Sequence, residues 1–176
     1  MGRSNFANPF LRILAGNLDF DWFILSPHGR SGVILVGLNR DTITIQNVLA
    51  GDFCVKFHVK SKNDGFLWAL LAVYGAAQDQ LKDEFLSELV RICDSETLPL
   101  IVGGDFKIIR RSEEKNNNNF NVRWPFVFNA IIESLNLREI ALSGRQYTWS
   151  SRREIPTLEK LDRMLMTREW EKNSPL

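Results

Sequence analysis

The chain has 176 residues, enough for one domain with a sizeable core and too few for two comfortable ones. Hydrophobic residues at 44% and charged residues at 24% are ordinary for a folded chain and exclude a disordered or fibrous class. With 22 Lys and Arg against 21 Asp and Glu the net charge is +1, which excludes a strongly basic nucleic-acid coat but not a local basic patch. Cys54 and Cys93 show no CxxC spacing, so neither a disulfide framework nor a zinc pattern is expected. No apolar run approaches the roughly 20 residues of a membrane span, and Met1–Ala15 lacks the pattern of a signal peptide. These features predict one intracellular domain over residues 1–176, nuclear or cytoplasmic, with no membrane partner.

The first half reads as strands. Val33–Leu38 is a short apolar run, and Thr42–Val48 alternates, with Ile43, Ile45 and Asn47 on one face. Phe53–Lys60 alternates as well, Phe53, Val55, Phe57 and Val59 against a charged outer face of Cys54, Lys56, His58 and Lys60. After the turn signal Asn63-Asp64-Gly65, Phe66–Tyr74 is a near-continuous apolar strand of the kind buried on both faces. Short connections predict an antiparallel meander of these four. The period then changes to helical over Leu81–Cys93, with Asp79 as N-cap. A strand at Leu100–Val102, a polar loop at Arg110–Asn121 and a second helix at Phe126–Leu135 follow. Tyr147–Trp149 and Leu161–Met166 are short strands, and Thr167–Lys172 is a capped turn. The order predicts an α/β sandwich with helices outside packed sheets.

Three places could carry chemistry. The strand ending Val102-Gly103-Gly104-Asp105 delivers a carboxylate after two glycines that admit close approach; a turn or capping aspartate is the alternative. Tyr74 ends a buried strand, where its hydroxyl faces either a phosphate oxygen or plain solvent. In Lys160-Leu161-Asp162-Arg163-Met164-Leu165, alternation puts Leu161, Arg163 and Leu165 on one face, and Asp162 is either a site carboxylate or one half of a surface ion pair.

The ordered set Ala72-Val73-Tyr74-Gly75, Val102-Gly103-Gly104-Asp105-Phe106, Tyr147-Thr148-Trp149 and Leu161-Asp162-Arg163 resembles the endonuclease/exonuclease/phosphatase superfamily. Gly29-Arg30-Ser31-Gly32, Trp124-Pro125-Phe126 and Leu142–Ser150 make it similar, more narrowly, to the endonuclease domain of plant LINE-type retrotransposons. The resemblance implies a four-layered, DNase I-like α/β sandwich with outer helices on antiparallel-rich sheets, here incomplete, and a Mg²⁺-dependent phosphodiesterase that nicks DNA. It implies Asp105 as the water-orienting carboxylate, Tyr74 facing the phosphate, and Asp162 as the carboxylate that orients a catalytic histidine.

The departures shape the expectation. The family pattern Gly-Asp-Phe-Asn reads Gly104-Asp105-Phe106-Lys107, and in an extended segment Lys107 points where Asp105 points. An ammonium there pairs with Asp105 and opposes a metal's charge. No glutamate precedes Glu84 to match the metal ligand of the family, and Asp19 and Asp21 match the stretch after it. The only histidines are His28 and His58, and neither matches the Ser-Asp-His segment that ends the family pattern. Tyr74, Asp105 and Asp162 are therefore expected to be vestigial, turnover absent and Mg²⁺ not tightly held. The alternatives are an active Mg²⁺-dependent DNA endonuclease, with a metal ligand among Asp19, Asp21 and Asp105 and a histidine from a partner chain, and a domesticated nucleic-acid- or protein-binding module. For DNA, Arg123, Trp124, Arg145, Trp149 and Arg163 combine guanidinium and aromatic groups. Sheet edges left bare by missing strands predict self-association.

Overall fold

The computed structural model describes residues 9–25, 33–141 and 143–173. The Gly29-Arg30-Ser31-Gly32 motif, His28 and Leu142 lie outside the described residues. The elements in order are α1 (Pro9–Ala15), β1 (Phe20–Leu25), β2 (Ile34–Asn39), β3 (Ile43–Ala50), β4 (Cys54–Ser61), β5 (Leu67–Tyr74), α2 (Asp79–Asp94) and β6 (Leu100–Asp105). A single 3-10 turn at Ser112–Glu114 precedes α3 (Arg123–Ser134), β7 (Arg138–Glu139), β8 (Trp149–Ser150), β9 (Leu158–Glu159), β10 (Asp162–Met166) and α4 (Arg168–Asn173).

Six strands form the central sheet in the order β3-β4-β5-β6-β10-β7. β3, β4 and β5 are an antiparallel meander, whereas β5 and β6 run parallel, a pairing that needs a crossover and finds it in α2. β10 returns antiparallel to β6, so β6 is interior. The alternation along β5 divides the core. Ala69, Leu71 and Val73 meet Phe85, Leu89 and Ile92 of α2 and Phe128 and Ile132 of α3. Leu70, Ala72 and Tyr74 look the other way, onto the cluster of Ile34, Val36 and Leu38 with Val55, Phe57 and Val59. Helices cover one face of the sheet and a small second sheet lies over part of the other, which is the mixed α/β sandwich expected.

Several expectations need correction. β2 does not join the meander: all six of its residues pair with β1 in a separate two-stranded sheet. Its inward residues Ile34, Val36 and Leu38 bury against β4, so it packs on the sheet instead of extending it. Neither α1 nor β1 was anticipated. Asn47 does not continue the apolar face of β3, because a bulge between Ile45 and Asn47 shifts the register and brings in Val48. The face of β4 expected to be solvated is covered: Cys54 is buried, Lys56 is 8% exposed, and the Glu96 carboxylate joins Lys56 (2.8 Å) and His58 (2.7 Å). Gln78, not Asp79, is the N-cap of α2 and makes no side-chain capping bond; Asp79 sits in the first turn, where its charge suits the helix dipole. Trp149 lies in a two-residue strand paired with β9, apart from the main sheet.

Depressed carboxylates tie stability to pH. Burial pushes the Glu96 carboxyl up, but hydrogen bonds from Lys56, the Leu98 N–H and His58 outweigh it and hold it at about 2. Glu139 is likewise pushed up by burial and brought down to about 2 by Lys160, Arg110 and Arg163. The unfolded chain takes up these protons near the ordinary carboxylate value of roughly 4.3. Stability is therefore full above that value and is lost as pH falls towards about 2. Urea midpoints measured from pH 7 down to pH 2.5 should hold above roughly pH 5 and drop steeply below it, and Glu96→Gln should flatten that limb.

Candidate functional site

Three adjacent strands end together at the carboxyl end of β5 and β6. Tyr74 of β5 is in register with Asp105 of β6, and Asp105 with Asp162 of β10. Directly paired residues share a face, so the three stand in one row, each half-buried, on the side away from the helices. Gly104 makes the close approach possible. Its φ of +139° is one that side chains rarely adopt, and a Cβ there would strike the Val73 carbonyl oxygen of the neighbouring strand.

Lys107 completes the group. The chain turns after β6 with Lys107 in the left-handed region at φ +55°, so it reaches Asp105 through a turn, not through the extended i, i+2 geometry expected. Its backbone N–H donates to Asp105 Oδ1 at 3.1 Å and its Nζ pairs with Asp105 Oδ2 at 2.5 Å. The same ammonium stands 4.9 Å from the centre of the Tyr74 ring. Burial draws the Lys107 pKa down, but Asp105 and Tyr74 outweigh it and the net direction is up. The cation is firmly charged, and one residue occupies both oxygens of Asp105.

Beside this row, about 360 Å³ of cavity opens between the N-terminal ends of α2 and α3 and the loop after β6. Lys82, Lys107 and Lys115 line it together with Phe120, Trp124 and Trp149. Lys82 pairs with Asp79 at 2.8 Å and Lys115 with Glu159 at 2.6 Å.

No family model and no curated protein sequence matches the chain. Solved structures do. The endonuclease domain of TRAS1, a telomere-specific non-LTR retrotransposon, superposes with a TM-score of 0.62 at 12% identity, over 86% of this chain and 69% of that one. The 3′ phosphatase NExo from Neisseria, bound to a product DNA hairpin, gives 0.65 at 13% identity, over 96% and 73%. An endonuclease/exonuclease/phosphatase from Bacteroides vulgatus gives 0.57 at 12% identity, over 90% and 67%. The chain has the endonuclease/exonuclease/phosphatase fold. At these identities the likeness is one of fold, and the chain spans about two thirds to three quarters of those structures' length.

Within this fold the residues expected to bind nucleic acid separate into groups. Arg145 and Trp149 are exposed. Arg123 forks onto Asp83 at 2.8 and 3.0 Å and lies 4.5 Å from the centre of the Trp124 ring. Trp124 is 4% exposed and belongs to the helix-side core, with Lys82 5.4 Å from its ring centre as well, which leaves no open face for a base. Arg163 is 1% exposed and bonds Glu114, Glu139 and the carbonyls of Ile108 and Lys160. Its guanidinium is spent inside the fold and is unavailable to a phosphate. Asp19 and Asp21 are both engaged by Arg40.

Sequence reasoning missed Glu114 and Glu139 as the partners of Arg163, and Thr148, whose hydroxyl accepts the N–H groups of Leu161 and Asp162 at 3.0 Å. It also missed Lys82 as a wall of the cavity. Among the described residues no three His, Cys, Asp or Glu side chains converge as metal ligands. At Asp105 a Mg²⁺ of the kind the fold implies would meet the Lys107 ammonium on Oδ2 and its N–H on Oδ1, a positive charge set against its own. No helix among the described residues is long and apolar enough to cross a membrane.

Proposed function

We propose that the chain is a degenerate, retrotransposon-derived domain of the endonuclease/exonuclease/phosphatase fold that keeps a surface for nucleic acid and does not hydrolyse phosphodiesters. One observation carries this reading: Lys107 takes both oxygens of Asp105 and covers the Tyr74 ring. A carboxylate that deprotonates water must be basic, and a paired ammonium lowers that basicity while offering no acceptor of its own. The left-handed φ of Lys107 supports the same history. That conformation suits asparagine, the residue of the family pattern, better than lysine. Tyr74 and Asp162 keep their places beside Asp105 in the row.

Retained binding is favoured by Arg145 and Trp149, an exposed cation and an exposed aromatic ring four residues apart, and by a DNA hairpin in the NExo structure of the same fold. The likeness to TRAS1 supports a retrotransposon origin; a plant LINE source rests on the sequence motifs alone.

The test is a nicking time course on supercoiled plasmid with Mg²⁺ or Mn²⁺. The unmodified chain is expected to leave the plasmid supercoiled at the rate of a protein-free control. Nicking that EDTA and Asp105→Ala each abolish would establish an active endonuclease and overturn this reading.

A further inference from the structure

We infer that the outer face of α2 and α3 is an interface for a second copy of this chain, the two copies being related by a dyad that crosses both helices. This face lies on the side of the sheet away from the Tyr74, Asp105 and Asp162 row, so the inference stands whether or not that row turns over a substrate.

α3 is apolar where a surface helix is ordinarily polar. Trp124, Phe128 and Ile132 bury against the sheet, as one stripe of an amphipathic helix should. The opposite side carries a second apolar stripe, Val122 at the N-cap, Phe126 and Ala130, at i, i+4 and i+8. All three are exposed, Val122 by 73% and Phe126 by 76%. Between the stripes, Val127 and Ile131 turn towards α2 and line a shallow groove with Leu86, Ser87 and Val90. Arg123 and Glu133 are the only charged residues of the helix. A helix apolar on every side is stable when it is covered, and an apolar patch rimmed by charge marks a protein contact.

The charges along the groove point to the occupant. α2 and α3 run side by side in the same direction: Arg123 reaches Asp83 near their N-terminal ends, and Ile131 shares the far end of the groove with Val90 and Arg91. Asp83 and Arg91 thus mark the two ends, eight residues and about 12 Å apart along α2. Arg91 is exposed and makes no ion pair among the described residues. Asp83 is 59% exposed, and beside Arg123 its oxygens keep lone pairs for a second guanidinium. A dyad across the helices at the level of Ser87 and Val127, midway along the groove, sets the partner's α2 antiparallel. Each Asp83 then meets the partner's Arg91, giving the two identical pairs that an isologous contact requires. Phe126 stands at that same level, so its ring meets the partner's Phe126 on the dyad. A second copy carries this pattern of anion, aromatic and cation by construction. The outer strands of the central sheet are poorer contacts, since β3 is bulged and β7 has two residues.

The test is sedimentation equilibrium of the full chain from low micromolar to several hundred micromolar concentration. A monomer–dimer equilibrium in the micromolar range is expected. Phe126→Ser should weaken it about thirtyfold, the loss of a central aromatic anchor. Arg91→Glu and Asp83→Lys should each weaken it at least about tenfold, because each sets like charges against one another at both ends of the contact. Mixed in equal amounts, these two variants should associate as tightly as the parent, since opposite charges then meet at both ends. All three positions are exposed, so the variants should keep the parent's circular dichroism and urea midpoint. A monomer at every concentration, association indifferent to Phe126→Ser, or folded charge variants that fail to pair when mixed would each overturn the inference. Plasmid nicking plays no part in these readouts, so either result leaves the reading of the Lys107 site as it stands.

Discussion

Arg163→Ala is expected to destabilise the domain by about 3–5 kcal/mol, the cost of removing one partner from a buried ion pair. The guanidinium has no exposed side-chain surface and serves two carboxylates, Glu114 on the 3-10 turn and Glu139 on β7, as well as two backbone carbonyls. Lys160 and Arg110 hold Glu139 in addition, and Glu114 accepts the N–H groups of Arg110 and Arg111. The carboxylates would thus stay charged and buried after the truncation. Their repulsion would loosen the loop that follows Lys107. Folded domains are stable by only about 5–15 kcal/mol, so the loss is a large fraction of the total. Urea unfolding at pH 7 measures it, and a change within 1 kcal/mol of zero would show that the network is solvated. Arg163→Met with Glu114→Gln, which removes charge of both signs, should cost less than Arg163→Ala alone.

Glu88→Ala should cost about 3–5 kcal/mol as well, for a different reason, since each orphaned buried N–H carries a penalty of roughly 1–3 kcal/mol. The Glu88 side chain reaches from α2 to the turn between β3 and β4 and accepts the N–H groups of Asp52, Phe53 and Cys54 at 3.0, 3.1 and 3.0 Å. A Cβ at Gly51 would strike the same carboxylate, so a larger residue there would push Glu88 away from these N–H groups. Glu88→Gln keeps an acceptor oxygen and should fall between the parent and the alanine variant. Chemical denaturation of the three proteins ranks them, and equal midpoints would show that water replaces the carboxylate.

What was legible in the chain follows from the range of the forces involved. β4, β5, α2 and β6 show their periods because each buries a continuous face in one core. The row of Tyr74, Asp105 and Asp162 was legible only as an ordered set of motifs, since strand register decides it and no local pattern does. The transfer of β2 to a second sheet was not legible, because an apolar run of that kind fits a strand within a sheet as well as one lying over it. Arg163 carried its own signal. Alternation placed it between Leu161 and Leu165, both buried, and an arginine on such a face requires carboxylates from elsewhere in the fold. The pairing of Lys107 with Asp105 was legible from their separation by one residue, although the backbone reaches it through a left-handed turn.

Whether Lys107 holds the Asp105 carboxylate against a metal is tested most directly by a Mg²⁺ titration followed by NMR at the Lys107 ammonium and the Asp105 carboxyl. Both signals should stay in place into the millimolar range, because a hard cation needs several oxygen ligands and would have to compete with an ammonium already paired to this carboxylate. Saturable shifts at micromolar Mg²⁺, with release of the Lys107 ammonium and loss of binding in Asp105→Ala, would contradict the account.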